Sequence, residues 1–295
     1  MKKLSILLFA VLIPWAIPAE AGETPMPIII INQIRGPESC CQSGSVDLIK
    51  TVESGEYSQK LSGSYALRFD ALSSDEFINS VKDVSGKNDR LGILLEITPD
   101  LAAASGVTYK GKADGSDWYH ARNAFLIGYT QQERKKLIDT VILKFKEQFN
   151  ILPLFTVSWM IDSWSLSYLH DNYGVKMHEI TKEQYETDNY TLYGGIFNIP
   201  YIASRNHPLL PIFSADGIMI VRQTVSDLEK NYGSFKSYYT SQPNDYLSDP
   251  DKKGTAYFEN LLNTMEKQDG PNRFALLGLE NSKEWSEFHG EYLKQ

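Results

Sequence analysis

Residues 91–99, Leu-Gly-Ile-Leu-Leu-Glu-Ile-Thr-Pro, constrain the fold more than any other stretch. The run is too short for a free-standing helix and too uniformly apolar for a half-exposed strand. It reads as a strand buried on both faces, the kind that lies under helices in a parallel sheet. A carboxylate inside such a run is costly unless it is paired or carried to a mouth that faces water. Glu96 is therefore expected at the rim of a core, with Pro99 breaking the element. The same grammar recurs: Tyr65-Ala-Leu-Arg-Phe leads to Asp70, residues 154–161 to Asp162 and residues 274–279 to Glu280. In an α/β barrel the C-terminal strand ends share one rim, which is where sites sit. Either these four acids converge on one pocket, or each caps the helix that follows it. Asp162 is especially well placed to cap.

Further apolar runs at 27–34, 175–180 and 217–222 bring the expected strands to about seven. Helical spacing lies between them. Residues 43–60 and 73–84 carry it, and in 130–149 Thr130 and Glu133 stand at capping-box positions before the stripe Leu137, Val141, Phe145 and Phe149. Residues 162–174 end on Gly174, and further helices are expected at 257–268 and 284–294. Alternating strands and helices predict a parallel sheet in one α/β domain.

Lys2 and Lys3, an apolar stretch over 4–17 and the small residues Ala19 and Ala21 predict an export signal at 1–21, cleaved to leave a domain over 22–295. The stretch is too short to span a bilayer comfortably, and no second run is long enough, so no stable membrane span is expected after cleavage. The formal charge is −8, and no basic patch with interleaved aromatics is present, which argues against a nucleic-acid partner. No phosphate-binding glycine motif follows a strand. The only two cysteines, Cys40 and Cys41, are adjacent, which fits neither a disulfide framework nor a metal knuckle; a structural role is expected.

Which chemistry remains follows by elimination. The five histidines show no H-x-x-x-H or H-E-x-x-H spacing, so no metal or other cofactor is expected, although a site assembled from distant residues such as Asp70 and His178 stays open. No G-x-S-x-G elbow marks a serine nucleophile. Paired carboxylates are left, and glycoside hydrolysis uses two. Glu96, Glu280, Asp162 and Asp70 are the catalytic candidates. Arg35, just past the first strand, is positioned either to bind substrate or to pair with one of them. The chain holds 17 Tyr, 13 Phe and 5 Trp, enough for flat rings to line a sugar cleft, though equally suited to a core. Trp159 and Trp164 are candidate stacking walls. Trp118 and His120 fall in an irregular, glycine-rich stretch over 101–129 read as an insertion above the rim. Tyr185, Asp188 and Tyr193 fall in a polar, aromatic loop, and Arg205 in an extended, proline-rich segment over 199–211.

Residues 91–99, the segment Ser158-Trp-Met-Ile-Asp-Ser-Trp-Ser-Leu-Ser-Tyr-Leu and residues 274–281 resemble, in strand order and strand-end acids, the glycoside hydrolase/deacetylase superfamily. The resemblance spans most of the chain from Pro27 onward. It implies a single distorted (β/α)7 TIM-like barrel with parallel strands, acting on carbohydrate. Polysaccharide deacetylases of that superfamily hold a metal with an early Asp-Asp pair and a later His-x-x-x-His. Here Phe69-Asp70-Ala71 has a single Asp, and Leu94-Leu-Glu96-Ile-Thr98 stands where the histidines are expected. The resemblance therefore implies the metal-independent glycosidase members more than the deacetylases, with an atypical deacetylase or an inactive glycan-binding barrel as alternatives.

Overall fold

The computed structural model of the chain describes residues 26–38, 43–50, 62–117, 120–180, 200–223, 253–267 and 274–281. The expected export signal at 1–21, Cys40, Cys41, Trp118, Tyr185, Asp188, Tyr193 and the expected last helix lie outside them.

Every apolar run read from the sequence is a parallel strand. They are β1 (Ile28–Ile34), β2 (Gly63–Leu67), β3 (Arg90–Leu94), β4 (Phe155–Ser158), β5 (Met177–Ile180), β8 (Met219–Arg222) and β9 (Ala275–Glu280). Their spatial order is β8-β5-β4-β3-β2-β1-β9, each ladder parallel. The proline-rich segment is not a single extended stretch. It folds into a hairpin, β6 (Tyr201–Ser204) and β7 (His207–Ile212), which pairs antiparallel with the lower part of β8. Among the described residues the sheet is thus nine-stranded and mostly parallel.

Side chains alternate between two apolar layers, which is why the strands read as continuous apolar runs. One layer, made by strands alone, holds Ile31, Ala66, Leu94, Phe155, Val157, Val221 and Leu276. The other packs Leu67, Ile93 and Ile180 against helices: α2 (Asp75–Val84) through Phe77 and Val81, α5 (Gln131–Phe149) through Leu137, Val141 and Phe145, and α6 (Ser163–Tyr173) through Leu166 and Leu169. The short α1 (Phe69–Leu72), α3 (Pro99–Ala104) and α4 (Ala121–Ala124) follow β2, β3 and the 105–120 stretch, and α7 (Lys253–Glu266) precedes β9. Thr130 and Glu133 form the expected capping box. Pro99 does not merely stop the third strand; it opens α3, with Thr98 as the cap.

The two ends of the parallel run approach each other. Gln223, just past β8, lies so close to Gly278 of β9 that a Cβ there would stand 2.7 Å from its Nε2. Glycine at 278 permits this approach, and no ladder joins β8 to β9 among the described residues. No helix among the described residues is long and apolar enough to cross a membrane.

Candidate active site

The strand-only layer continues past its apolar floor with a change of chemistry. Two residues beyond Ala66 comes Arg68, two beyond Leu94 comes Glu96, and four beyond Ile31 and Leu276 come Arg35 and Glu280. The period-two alternation of strands puts all four on one face. They meet at the C-terminal strand ends. Arg35 donates from Nη2 to Glu96 Oε1 at 2.7 Å, from Nε to Glu96 Oε2 at 3.2 Å and from Nη1 to Glu280 Oε2 at 2.7 Å. Arg68 donates from Nη1 to Glu96 Oε2 at 3.1 Å, and grips Asp70 with Nε and Nη2 at 2.7 and 2.8 Å.

The result is a chain of alternating charge, Asp70–Arg68–Glu96–Arg35–Glu280, with three carboxylates to two guanidiniums. No member is more than 4% exposed. Taking such charges out of water is expensive, and dense pairing has to offset it. Burial alone would raise the pKa of Glu96; Arg35 and then Arg68 outweigh it, holding the carboxyl below its usual range. Burial of Asp70 is likewise outweighed by Arg68. Burial of Arg35 is outweighed by Glu280 and then Glu96, which keeps the guanidinium firmly charged.

Backbone details fix the cluster. Asn281 accepts from the Arg35 N–H at 2.8 Å and donates to the Arg35 carbonyl at 2.9 Å, fastening the exit of β1 to that of β9. Gly36 packs flat on Asp70, where a Cβ would come within 2.6 Å of the Asp70 carbonyl carbon. Glu38 closes the turn. Its N–H donates to Asp70 Oδ2 at 3.0 Å and its carbonyl accepts from Arg68 Nη2 at 3.3 Å.

Of the four candidate acids, Asp70, Glu96 and Glu280 come together, and Arg35 is their organiser. Asp162 does not join them. It caps α6, accepting from the Ser165 N–H at 3.0 Å and the Ser165 hydroxyl at 2.6 Å, and pairs with Arg134 at 2.8 Å. Asp162→Ala is therefore expected to lower stability by about 1 kcal/mol, read from a denaturation midpoint. Arg205 is also corrected. Because β6 runs antiparallel to β8, the turn after it lies at the opposite end from the mouth. There Arg205 binds Asp171 through both terminal guanidinium nitrogens, at 2.7 and 2.9 Å, and reaches Asp216. Trp159 is buried against Ala124 and Phe125 and is not an exposed wall. Trp164 stacks on Tyr168 along α6, centroids 5.1 Å apart, and His120 precedes α4 on the surface.

Arg68, Glu38, Asn281 and Glu179 were not singled out from sequence. Glu179 shares the strand-only face with Met177, between Val157 and Val221 in register. It is fully enclosed, and neither carboxyl oxygen has a partner among the described residues. Burial pushes its pKa up to about 8, so it is protonated at neutral pH. Its neighbour His178 turns to the other face. Its Nδ1 lies 2.8 Å from the Thr156 hydroxyl and its Nε2 3.1 Å from that of Ser158, and burial pushes its pKa down to about 3.

A deacetylase-type metal does not fit these residues. Each Glu96 oxygen already faces a guanidinium, and a divalent ion would sit against two buried positive charges. The pairing of Asp70 with His178 fails because His178 lies on the helix-facing side. No group of three or more His, Cys, Asp or Glu among the described residues is arranged to hold an ion.

No family model matches the chain, and no curated protein matches it in sequence. Among solved structures, the chain is similar to one from Mycobacterium smegmatis assigned as a polysaccharide deacetylase. The TM-score is 0.51 at 8% identity, over 92% of this chain and 84% of that one. It is also similar to a peptidoglycan N-acetylglucosamine deacetylase, with a TM-score of 0.40 at 10% identity, over 92% and 82%. With seven parallel strands between helices and its charged groups at their C-terminal ends, the chain has a polysaccharide deacetylase-like α/β fold.

Proposed function

We propose that the chain is an exported carbohydrate-active hydrolase that cleaves glycosidic bonds with strand-end carboxylates and without a metal. The observation that carries this reading is the sharing of Arg35 by Glu96 and Glu280 at the mouth. One guanidinium holds two acids from non-adjacent strands side by side, at the end of the fold where such barrels place their sites. Glu96 has both oxygens engaged and serves as the keystone. Glu280 gives Arg35 only Oε2, and we assign it the role of the carboxylate that faces the reacting centre. The sequence pattern of Lys2 and Lys3 followed by the apolar stretch over 4–17 is what supports export.

The test is turnover of a panel of oligosaccharides by the purified chain, with products identified by mass. New reducing ends are expected, and Glu280→Gln should lower kcat about 10²- to 10³-fold. Release of acetate without chain scission would replace this reading with deacetylation. A second reading, a barrel that binds glycan without cleaving it, is favoured by one observation: every oxygen of Asp70 and Glu96 is already occupied within the protein. It requires glycan binding that survives Glu280→Gln, with no product from either form.

A further inference from the structure

We infer that the base of the sheet, the end opposite the mouth, docks on the anionic headgroup surface of a bilayer and leaves the mouth facing away from the lipid. The inference does not depend on the hydrolytic reading. It concerns the N-terminal ends of the strands.

Six of the nine exposed large apolar side chains among the described residues lie at this one end: Ile28, Ile151, Leu152, Leu154, Phe213 and Met219. Scattered singly they would need no explanation; gathered at one end they form a face. Backbone bonds show that much of it is continuous. The Leu154 carbonyl accepts from the Lys176 N–H at 3.2 Å, and the Lys176 carbonyl from the Met219 N–H at 2.9 Å, so these three residues stand side by side on neighbouring strands. Ile202 pairs with both Met219 and Ile212, which brings Phe213, the residue after β7, to the same level two strands away. Ile151 and Leu152 lie in the link from α5 into β4, just before Leu154.

Charge identifies the occupant. Lys87 and Arg90 at the turn into β3, Lys146 in the last turn of α5 and Lys176 before β5 share this end and are exposed, and none meets an acid among the described residues. The acids of the same end are mostly engaged: Asp89 accepts the N–H groups of Gly63 and Gly86, Glu147 pairs with Lys144, and Asp171 and Asp216 pair with Arg205. Asp83, next to Lys82 in α2, is the exception. The base is therefore cationic on a chain whose formal charge is −8. Two bases placed face to face would oppose like charges, which disfavours a second copy as the partner. Anionic headgroups complement the cations, while the apolar side chains enter the boundary between headgroups and acyl chains. Screening over about 8 Å at physiological salt keeps the acidic remainder of the chain from opposing the contact. The entry of the chain agrees. β1 starts at this end, and ten residues, roughly 35 Å when extended, separate it from the apolar stretch over 4–17. With the expected export signal still attached, the base is the end held next to the bilayer.

The experiment takes the chain as released by an exporting host, its N-terminus fixed by mass, and measures co-sedimentation with phosphatidylcholine vesicles containing about one quarter phosphatidylglycerol. Binding is expected, weaker on pure phosphatidylcholine and weaker as salt is raised. The double variants Leu154→Glu/Phe213→Glu and Lys146→Glu/Lys176→Glu should each lose at least about tenfold in affinity, with melting temperatures measured alongside. Ile127→Glu, at an exposed apolar residue before α5 and away from the base, should bind as the wild type does. Hydrogen exchange of the wild-type chain, which needs no variant, should slow over 150–155 and 213–219 when vesicles are added. No binding by the wild type, equal binding by the base variants, or protection at the mouth in place of the base would overturn the inference. So would a dimer seen by light scattering that the Leu154→Glu/Phe213→Glu substitutions break, since the face would then belong to a second copy.

Discussion

Replacing Glu179 with methionine is expected to stabilise the protein at pH 8 by about 4 kcal/mol. The reason is linkage. In the unfolded chain the Glu179 carboxyl ionises near 4.5; in the folded state burial holds it protonated up to about 8. Below 4.5 both states are protonated and no ionisation penalty arises. Between these limits the unfolded state sheds the proton and the folded state keeps it, so stability falls by about 1.4 kcal/mol per pH unit. Above about 8 both are ionised and the loss is complete. His178, the preceding residue, acts with the opposite sign. Its folded pKa of about 3 lies below the unfolded 6.5, so stability falls as pH drops from 6.5 toward 3. The two slopes cancel between about 4.5 and 6.5, giving a plateau with a decline on either side. Urea midpoints across a pH series would show it. The Glu179→Met protein should lose the alkaline decline and keep the acid one. A wild-type midpoint that stays level from pH 6.5 to 8 would contradict the expected burial of an unpaired carboxyl.

Replacing Arg35 with methionine should destabilise the protein by about 3–5 kcal/mol, because it removes the partner from charges that stay buried. Glu280 loses the guanidinium that holds it, and Glu96 keeps only Arg68. In the wild type, Glu96 and Asp70 have depressed pKa values, so their pairing stabilises above their unfolded values and is lost as pH falls below them. In Arg35→Met the Glu96 carboxyl is expected to accept a proton more readily, so the deficit should shrink as the pH is lowered toward 5. Adding Glu280→Gln should restore part of the lost stability, since a neutral amide costs less to bury than a lone carboxylate. Denaturation of the two single variants and the double variant measures this coupling. Additive losses would mean that Arg35 and Glu280 do not depend on each other.

The seven parallel strands were legible because burial on both faces leaves a strong mark: no polar residue interrupts Ile28 to Ile31, or Phe274 to Leu279. Convergence of Asp70, Glu96 and Glu280 was legible for the same reason, since an acid closing an apolar run has few places to go. Asp162 shows the limit. Its run ends in the same way, yet the N–H groups of α6 and Arg134 claim it, and only geometry separates capping from convergence. Arg68 was hidden inside an apolar run, because a buried guanidinium between two carboxylates is indistinguishable in sequence from one whose stem lies on the surface. Glu179 was hidden by its setting: Met177-His178-Glu179-Ile180 mixes both faces of a short strand, and its polar residues do not reveal which one points inward. The hairpin was missed because Pro200, Pro208 and Pro211 argue against strand, although proline is tolerated at a sheet edge.

Those prolines have a bearing on solubility. An open sheet ends in a strand whose unpaired N–H and C=O groups can template another molecule, and among the described residues β7 is the terminal strand on this side. Two of its six residues, Pro208 and Pro211, have no N–H to offer. A third donor, the Leu209 N–H, is turned onto the His207 ring at 3.1 Å, and the Pro208 carbonyl is taken by the Tyr201 hydroxyl at 2.8 Å. The hairpin covers the lower edge of β8 and then presents an edge of its own that is poor in free donors and acceptors, so edge-to-edge aggregation of folded molecules is discouraged where the parallel sheet would otherwise be open to it.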